Sequence, residues 1–312
     1  MSSRAWPVAL GLAGGLGLDA VLADPRRGHP VAGFGSLAAA AERLVHQDSR
    51  AVGTAYAVAL TGGAGLAGVG LVRSVRRPGG LAALTALVTW VAVGGTTLRQ
   101  EAAAMHALLA DGDLDAARAQ LSHLCGRDAS DLDVPALARA TVESVAENTS
   151  DAVVGPLFWG AVAGAPGLLA YRAVNTLDAM VGHRSERYQR FGWAAARLDD
   201  LANLLPARLT AALAVALAPV VGGRPQAAVR AWSRDGRKHP SPNAGPVEAA
   251  FAGALGRTLG GTLAYAGRVE DRPLLGNGPA PSVADIPRAA RLSAAVSLAA
   301  GGLAVAARGI RR

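Results

Sequence analysis

The 312-residue sequence contains a single cysteine, Cys125. It therefore forms no intramolecular disulfide and offers no cysteine-based metal site. Lysine is as scarce: Lys238 stands alone, and arginine carries the rest of a formal charge of +8. Aromatic residues make up only 4% of the chain, and no basic stripe carries interleaved rings, which argues against nucleic acid as a partner. Familiar catalytic signatures are also missing. No G-x-x-x-x-G-K-[ST] phosphate loop occurs, and Lys238 lacks that context. Nor is there a strand–G-x-G-x-x-G–helix unit, a G-x-S-x-G elbow or an H-E-x-x-H pair.

What the chain has is hydrocarbon: 51% of its residues are hydrophobic. Apolar runs lie near 6–22, 51–72, 80–98, 152–170, 204–222 and 291–308, several approaching the roughly 20 residues that cross a bilayer as a helix. This pattern predicts an all-α, polytopic membrane protein, a single membrane-embedded domain over 1–312. Asp19 within the first run, and the lack of a polar spacer after it, favour a retained helix over a cleaved signal peptide. D-P-R-R-G-H-P (24–30) stops that helix, because each X-Pro pair disfavours the α region before it. Residues 36–46 read as a short amphipathic helix. Residues 99–140 read as a soluble helical insert, with a helix, a D-G-D turn and a second helix over 105–121. Asp131 or Asp133 is expected to cap a helix starting near Pro135. Glycines and prolines interrupt 152–170, as in a re-entrant or broken membrane segment. Residues 268–290 read as an exposed loop.

Charged groups beside such runs are costly, roughly 2.5–3.5 kcal/mol each at a helix centre, so the polar islands are the candidates for function. Glu143, Glu147 and Asp151 recur at i, i+4 and i+8, with Asn148 adjacent. Like charges so spaced repel, and a divalent cation such as Mg²⁺ would relieve them. A solvated acidic face is the plainer alternative. The second island holds Asn175 and Asp178, then a basic and aromatic stretch over 183–193, then Arg197, Asp199, Asp200 and Asn203. The third is R-D-G-R-K-H-P-S-P-N-A-G (234–245), which suits phosphate oxygens or anionic lipid about equally. If 152–170 crossed simply, 171–203 would lie across the bilayer from 23–50 and 99–150. The islands could then meet only inside the membrane or if that segment turned back. Carboxylates and amides for Mg²⁺, with Arg, Lys and His for phosphate, suit phosphoryl transfer or a ligation driven by a nucleoside triphosphate.

Longer motifs narrow this. E-S-V-A-E-N-T-S-D-A-V-V-G-P-L-F, A-V-N-T-L-D-A-M-V-G, E-R-Y-Q-R-F-G-W-A-A-A-R-L-D-D-L and R-K-H-P-S-P-N-A-G resemble the CbiB/CobD family of cobalamin biosynthesis, the adenosylcobinamide-phosphate synthases. The early D-P-x-x-x-H-P matches too, and the resemblance covers nearly the whole chain. Thr149-Ser150 and His183 are small departures. The resemblance implies a multi-pass inner-membrane enzyme with its active site facing the cytoplasm. It would join adenosylcobyric acid to (R)-1-aminopropan-2-ol phosphate, or to aminopropanol, through an amide, using ATP and Mg²⁺. Other cobamide-assembly enzymes are candidate partners. Residue chemistry then gives the roles. Glu147, Asn148, Asp151, Asp178 and Asp199 are the candidate metal ligands. Glu143, Glu147, Asp199 and His239 are the candidate catalytic groups, with His239 taking the amine's proton. Asn175, Arg184, Arg187, Arg197, Arg237, Lys238, Ser241 and Asn243 are the candidate substrate or phosphate contacts. The rival reading is a non-catalytic corrinoid carrier or a membrane scaffold.

Overall fold

The structure is a computed structural model. It describes residues 5–25, 28–126, 128–183, 185–265 and 268–310, with backbone only for 262–271. In chain order the helices begin with α1 (Ala5–Leu22), α2 (Pro30–Val45), α3 (Arg50–Ser74), α4 (Pro78–Ala92), α5 (Gly95–Asp111), α6 (Leu114–Leu121) and α7 (Val134–Thr149). There follow α8 (Gly155–Ala163), α9 (Ala165–Leu177), α10 (Trp193–Ala202), α11 (Leu204–Ala216), α12 (Pro225–Asp235) and α13 (Ala244–Leu255). A hairpin of β1 (Thr258–Tyr265) and β2 (Arg268–Gly276) precedes α14 (Asp285–Ile310). Among the described residues, four helical stretches are long and apolar enough to cross a membrane: Ala5–Leu22, Arg50–Ser74, Pro78–Asp111 and Asp285–Ile310. The chain is thus a polytopic α-helical membrane protein, as its apolar runs predict.

Local signals account for most boundaries. Asp113 accepts from Ala116 N at 3.0 Å and caps α6 after Gly112, whose φ of 77° is the left-handed value that the D-G-D turn requires. Of the two candidate caps for α7 it is Asp133 that serves, accepting from Ala136 N at 2.9 Å with Pro135 in the first turn. The amphipathic helix expected over 36–46 starts earlier, at Pro30, where His29 Nδ1 accepts from Val31 N at 3.2 Å.

The 152–170 run is not one helix. A π-helical turn spans Ser150–Val154, and Gly164 (φ 66°) then breaks the chain between α8 and α9. A Cβ at Gly167 would overlap the carbonyl of Trp159, so the two short helices turn back on one another. The nine residues of α8 span only about 14 Å, less than half of a hydrocarbon core of roughly 30 Å. The 204–222 run is likewise short, ending as a helix at Ala216.

Two compact units result. The first comprises 1–94, 151–204 and 301–312; the second comprises 95–150 and 205–300. In the first, α1 and α4 pack through small residues. A Cβ at Gly11 or Gly15 would fall inside contact distance of Thr85 or Thr89. Without a hydrophobic force between helices in lipid, such close approach is what holds them together. Gly15→Leu should therefore destabilise the protein by about 3 kcal/mol, the upper end for overpacking, read as a lower melting temperature in detergent. Gly17→Leu, with nothing within 4 Å of its would-be Cβ, should leave it unchanged.

In the second unit α13 is buried along its whole length. Its Gly253 lets α12 approach: a Cβ there would come within 2.6 Å of Ala228 Cα. The hairpin is the departure from the all-helical expectation, and it takes up the first part of the segment read as a loop. Thr258 pairs with Gly276, and a bulge between Leu259 and Gly261 is turned by Gly260 (φ 79°) and Gly261 (φ 94°). Leu259 and Leu275 are fully buried. An apolar anchor on each strand thus fixes a hairpin whose other residues, R-V-E-D-R-P among them, look like loop.

Candidate functional site

In the first unit a polar cluster forms where five parts meet: Ala23, Asp24 and His29 between α1 and α2, the end of α4, the π-turn at 150–154, α9 and α10. Trp90 Nε1 donates to Ala23 O at 2.9 Å and pins that residue to α4. Gly94 N donates to Ala152 O at 3.0 Å, tying α4 to the π-turn. Gly94 also leaves room for the Asp24 carboxylate, since a Cβ there would stand 3.3 Å from Asp24 Oδ2. His29 Nε2 lies 3.5 Å from Asp24 Oδ1 on the other side. With its Nδ1 accepting the α2 cap bond, Nε2 is the nitrogen left to carry the proton.

A chain of side-chain hydrogen bonds then runs between α9 and α10. Arg172 donates to Asn175 Oδ1 at 3.3 Å, and Asn175 Nδ2 donates to Asp199 Oδ1 at 3.4 Å. Asn203 Nδ2 donates to the other oxygen, Asp199 Oδ2, at 3.0 Å. Asn203 Oδ1 in turn accepts from the buried Tyr171 hydroxyl at 2.7 Å, which also reaches the Asp151 carbonyl at 3.1 Å. Asp199 is thus clamped with one amide on each oxygen. Burial is the largest influence on its carboxyl and pushes its pKa up to about 6, against the two amide bonds and with help from neighbouring Asp200. Charges on Asp24 and Asp151 act on Arg172, and those on Asp151 and Asp199 act on Tyr171. The charges of two carboxylates, Asp24 and Asp151, thus bear on one guanidinium, whose Nε–H has no partner among the described residues. Tyr171 also lines an apolar groove of about 700 Å³, walled by α3, α8, α9 and α10.

The other first-unit candidates are engaged elsewhere. Arg187 Nε and Nη2 donate to Glu42 Oε1 at 3.1 and 2.8 Å, and the Tyr188 hydroxyl donates to the same oxygen at 3.2 Å. Glu42 is only 7% exposed, so Arg187 balances a buried charge instead of standing ready for phosphate. Arg187→Ala should leave that charge with the Tyr188 hydroxyl as its remaining described partner and destabilise the fold, seen as a lower melting temperature. Arg197 is exposed and pairs with Asp200 at 3.3 Å. Asp178 opens a second π-helical turn ending at Gly182, where a Cβ would overlap its carboxylate. Arg184 lies outside the described residues.

In the second unit, Glu143 and Glu147 sit one turn apart on α7 but in different surroundings. Glu143 is buried and accepts from Gly260 N of the hairpin at 2.9 Å, while Glu147 is exposed. Asn148 Nδ2 donates to Ser144 O at 2.9 Å. His239 Nδ1 accepts from Ser241 N at 3.0 Å, and its Nε2 lies 3.9 Å from Glu248. An imidazole held so presents an N–H toward the carboxylate, and its acceptor nitrogen is already used. That arrangement disfavours the base role. Ser241 Oγ accepts from Ala244 N at 3.2 Å at the start of α13, and Asn243 Oδ1 accepts from Arg208 at 2.7 Å. Lys238 Nζ and Arg234 both hold Asp235, at 2.8 and 2.6 Å. With a further bond from Gly276 N, they keep its carboxyl well below the usual range. Arg237 is exposed.

Among the described residues no three Asp, Glu, His or Cys side chains gather as a metal cage. Mg²⁺ does not need one: it commonly takes one or two carboxylates and keeps waters and phosphate oxygens for the rest. The hard oxygens of Asp24 and Asp151 beside Arg172 fit that mode. Sequence reasoning noted Asp24 and His29 as a motif but did not place them in the site, and it missed Tyr171 and Arg172. An arginine one turn before Asn175, at the end of an apolar run, was the available signal.

The fold and this cluster define a class: a helical membrane protein with a half-buried acid–amide–guanidinium site beside an apolar groove. The family model described as CobD/Cbib protein matches residues 12–293, and the chain belongs to that family. It is 53% identical over 306 residues to the cobalamin biosynthesis protein CobD of Mycobacterium tuberculosis, covering 98% of this chain and 97% of that one. It is 44% identical to the protein of the same name in Chromobacterium violaceum, covering 91% and 93%. The corresponding Rhodobacter capsulatus protein is 43% identical, covering 88% of each chain. No solved structure matches.

Proposed function

We propose that this chain is an adenosylcobinamide-phosphate synthase. It would join (R)-1-aminopropan-2-ol phosphate to the f-propionate carboxylate of adenosylcobyric acid at the expense of ATP, with its site toward the cytoplasmic side of the inner membrane. The observation that carries this reading is the half-buried cluster around Asp199 and Arg172, a place for an amine nucleophile and an anionic phosphoryl group side by side.

A carboxylate is a poor acylating agent because its leaving group would be oxide. Transfer of the γ-phosphoryl group to a carboxylate oxygen gives an acyl phosphate and ADP. The amine then attacks the carbonyl, the C–N bond forms, the C–O bond to phosphate breaks, and one proton must leave nitrogen. Asp199 is the group we assign to take it. The two amides fix the carboxylate's orientation, and a pKa near 6 makes it a stronger base than an ordinary aspartate. As the C–N bond forms, the nitrogen becomes far more acidic than a free ammonium, so transfer to Asp199 runs downhill. Arg172, with its uncommitted Nε–H, would bind phosphoryl oxygens. Asp24 and Asp151 would hold Mg²⁺, which supplies charge neutralisation on the phosphates when bound. The groove walled partly by Tyr171 would shelter an apolar face of the corrinoid.

Purified protein in detergent, given adenosylcobyric acid, the amino-alcohol phosphate and Mg-ATP, should form ADP and amide in equal amounts. A folded sample that binds the corrinoid and forms neither product would mark a carrier instead.

A further inference from the structure

The most basic surface of the second unit is α12 with the turn after it. Arg224, Arg230, Arg234, Arg237 and Lys238 are all exposed there, and the one acid among them, Asp235, is buried beneath. The buried face of α12, formed by Ala228, Ala231 and Asp235, packs on α13. Its opposite face, with Gln226, Arg230, Ser233 and Arg234, is exposed.

Two of these residues, Arg230 and Arg234, line a recess. A cavity of about 150 Å³ lies between α12, the end of α13 and the end of β2, lined by Arg230, Arg234, Gly253, Gly256 and Asn277. Arg230 and Arg234 are four residues apart and so share a helix face. Arg234 is already fixed: Nε and Nη2 donate to Asp235 at 2.8 and 2.6 Å, and Nη2 also donates to Gly276 O at 2.8 Å. Its guanidinium plane is therefore set before any ligand arrives. Arg230 and Asn277 have no side-chain partner among the described residues. Gly256 adopts the left-handed conformation (φ 67°) with nothing within 4 Å of a would-be Cβ, so the floor of the recess is open backbone.

Asp235 does not cancel this surface. Its single charge is matched by Arg234 and Lys238, which leaves the exposed Arg230 as surplus positive charge beside the recess. A rigid guanidinium, a free one and an amide around a small open cavity form a donor set for tetrahedral oxyanions, and arginine favours phosphate through paired N–H donors.

We propose that this recess is a phosphate-binding site of the second unit, with Arg230 as its principal free donor. Phosphomonoesters and phospholipid headgroups share the chemistry it reads. The inference does not rest on the ligation reading, because none of these residues belongs to the Asp199 cluster.

The test uses the full chain in detergent and in lipid nanodiscs. Inorganic phosphate should raise the melting temperature of the wild type, with chloride at matched ionic strength as the control. Arg230→Ala, at an exposed position, should keep the unliganded melting temperature and weaken phosphate affinity at least tenfold. In a second arm, nanodiscs of phosphatidylglycerol should stabilise the wild type over phosphatidylcholine, again dependent on Arg230, if the source is a headgroup. An Arg230-dependent response in either arm supports the site and names its source. No response in both arms, or an equal response from Arg230→Ala, overturns it.

Discussion

Asp199→Asn should slow amide formation by orders of magnitude and, at neutral pH, make the protein more stable. The two effects have one origin. Burial raises the Asp199 pKa from 3.8 to about 6, so the folded state holds a proton that the unfolded chain releases more readily. The stability associated with that proton is complete below pH 3.8 and is lost as pH rises through 6. At pH 7 and above the folded protein therefore carries an ionised carboxylate under strain of about 2–3 kcal/mol. Asparagine is neutral and nearly isosteric, so it removes the penalty. One amide clamp has to turn to keep its bond, which trims the expected gain to about 1–2 kcal/mol. Melting temperatures of both proteins at pH 5 and pH 8 should diverge at the higher pH and approach each other at the lower. Loss of a general base reduces turnover by roughly 10²–10⁴-fold. A variant that is both less stable at pH 8 and fully active would contradict the assignment on each count.

Arg172→Gln should do the opposite to stability. Its guanidinium is the cation on which the charges of Asp24 and Asp151 act. Removing it leaves those carboxylates facing a neutral amide, which should lower the melting temperature. Activity should fall as well, by roughly 10²-fold or more, because both the phosphoryl contact and the hydrogen bond that steadies Asn175 are lost. Arg172→Lys should recover much of the melting temperature but little of the activity, since an ammonium restores charge without the planar pair of donors. Combined with Asp199→Asn, the activity loss should be well short of the sum, as expected for groups linked through Asn175. Wild-type melting and turnover in Arg172→Gln would show that the cluster is ornamental.

How far the sequence disclosed this arrangement depended on the range of the interaction. Signals acting over a few residues were legible: the Asp24-Pro25 stop after α1, the D-G-D turn, the Pro135 helix start, and the shared face of Asp199 and Asn203, now seen as a 3.0 Å hydrogen bond. The broken character of 152–170 was legible too, because Gly and Pro mark it directly. Partners brought in from far along the chain were not. Glu143 looked like one of three matched acids on a helix, but its hydrogen bond comes from Gly260 in a hairpin that reads locally as loop. Arg187 looked ready for phosphate because Glu42, the acid it serves, sits on α2. Arg172 escaped notice for a related reason. Its role appears only when the turn at Gly164 folds α9 back and brings it near Asp24.

The most direct test of the account follows the oxygen atoms. With the f-propionate carboxylate of adenosylcobyric acid labelled with ¹⁸O, turnover by the wild-type protein should deliver one labelled oxygen to inorganic phosphate and leave the other in the amide carbonyl. Label appearing in AMP, or amide formed with no labelled phosphate, would contradict ligation through an acyl phosphate at this site.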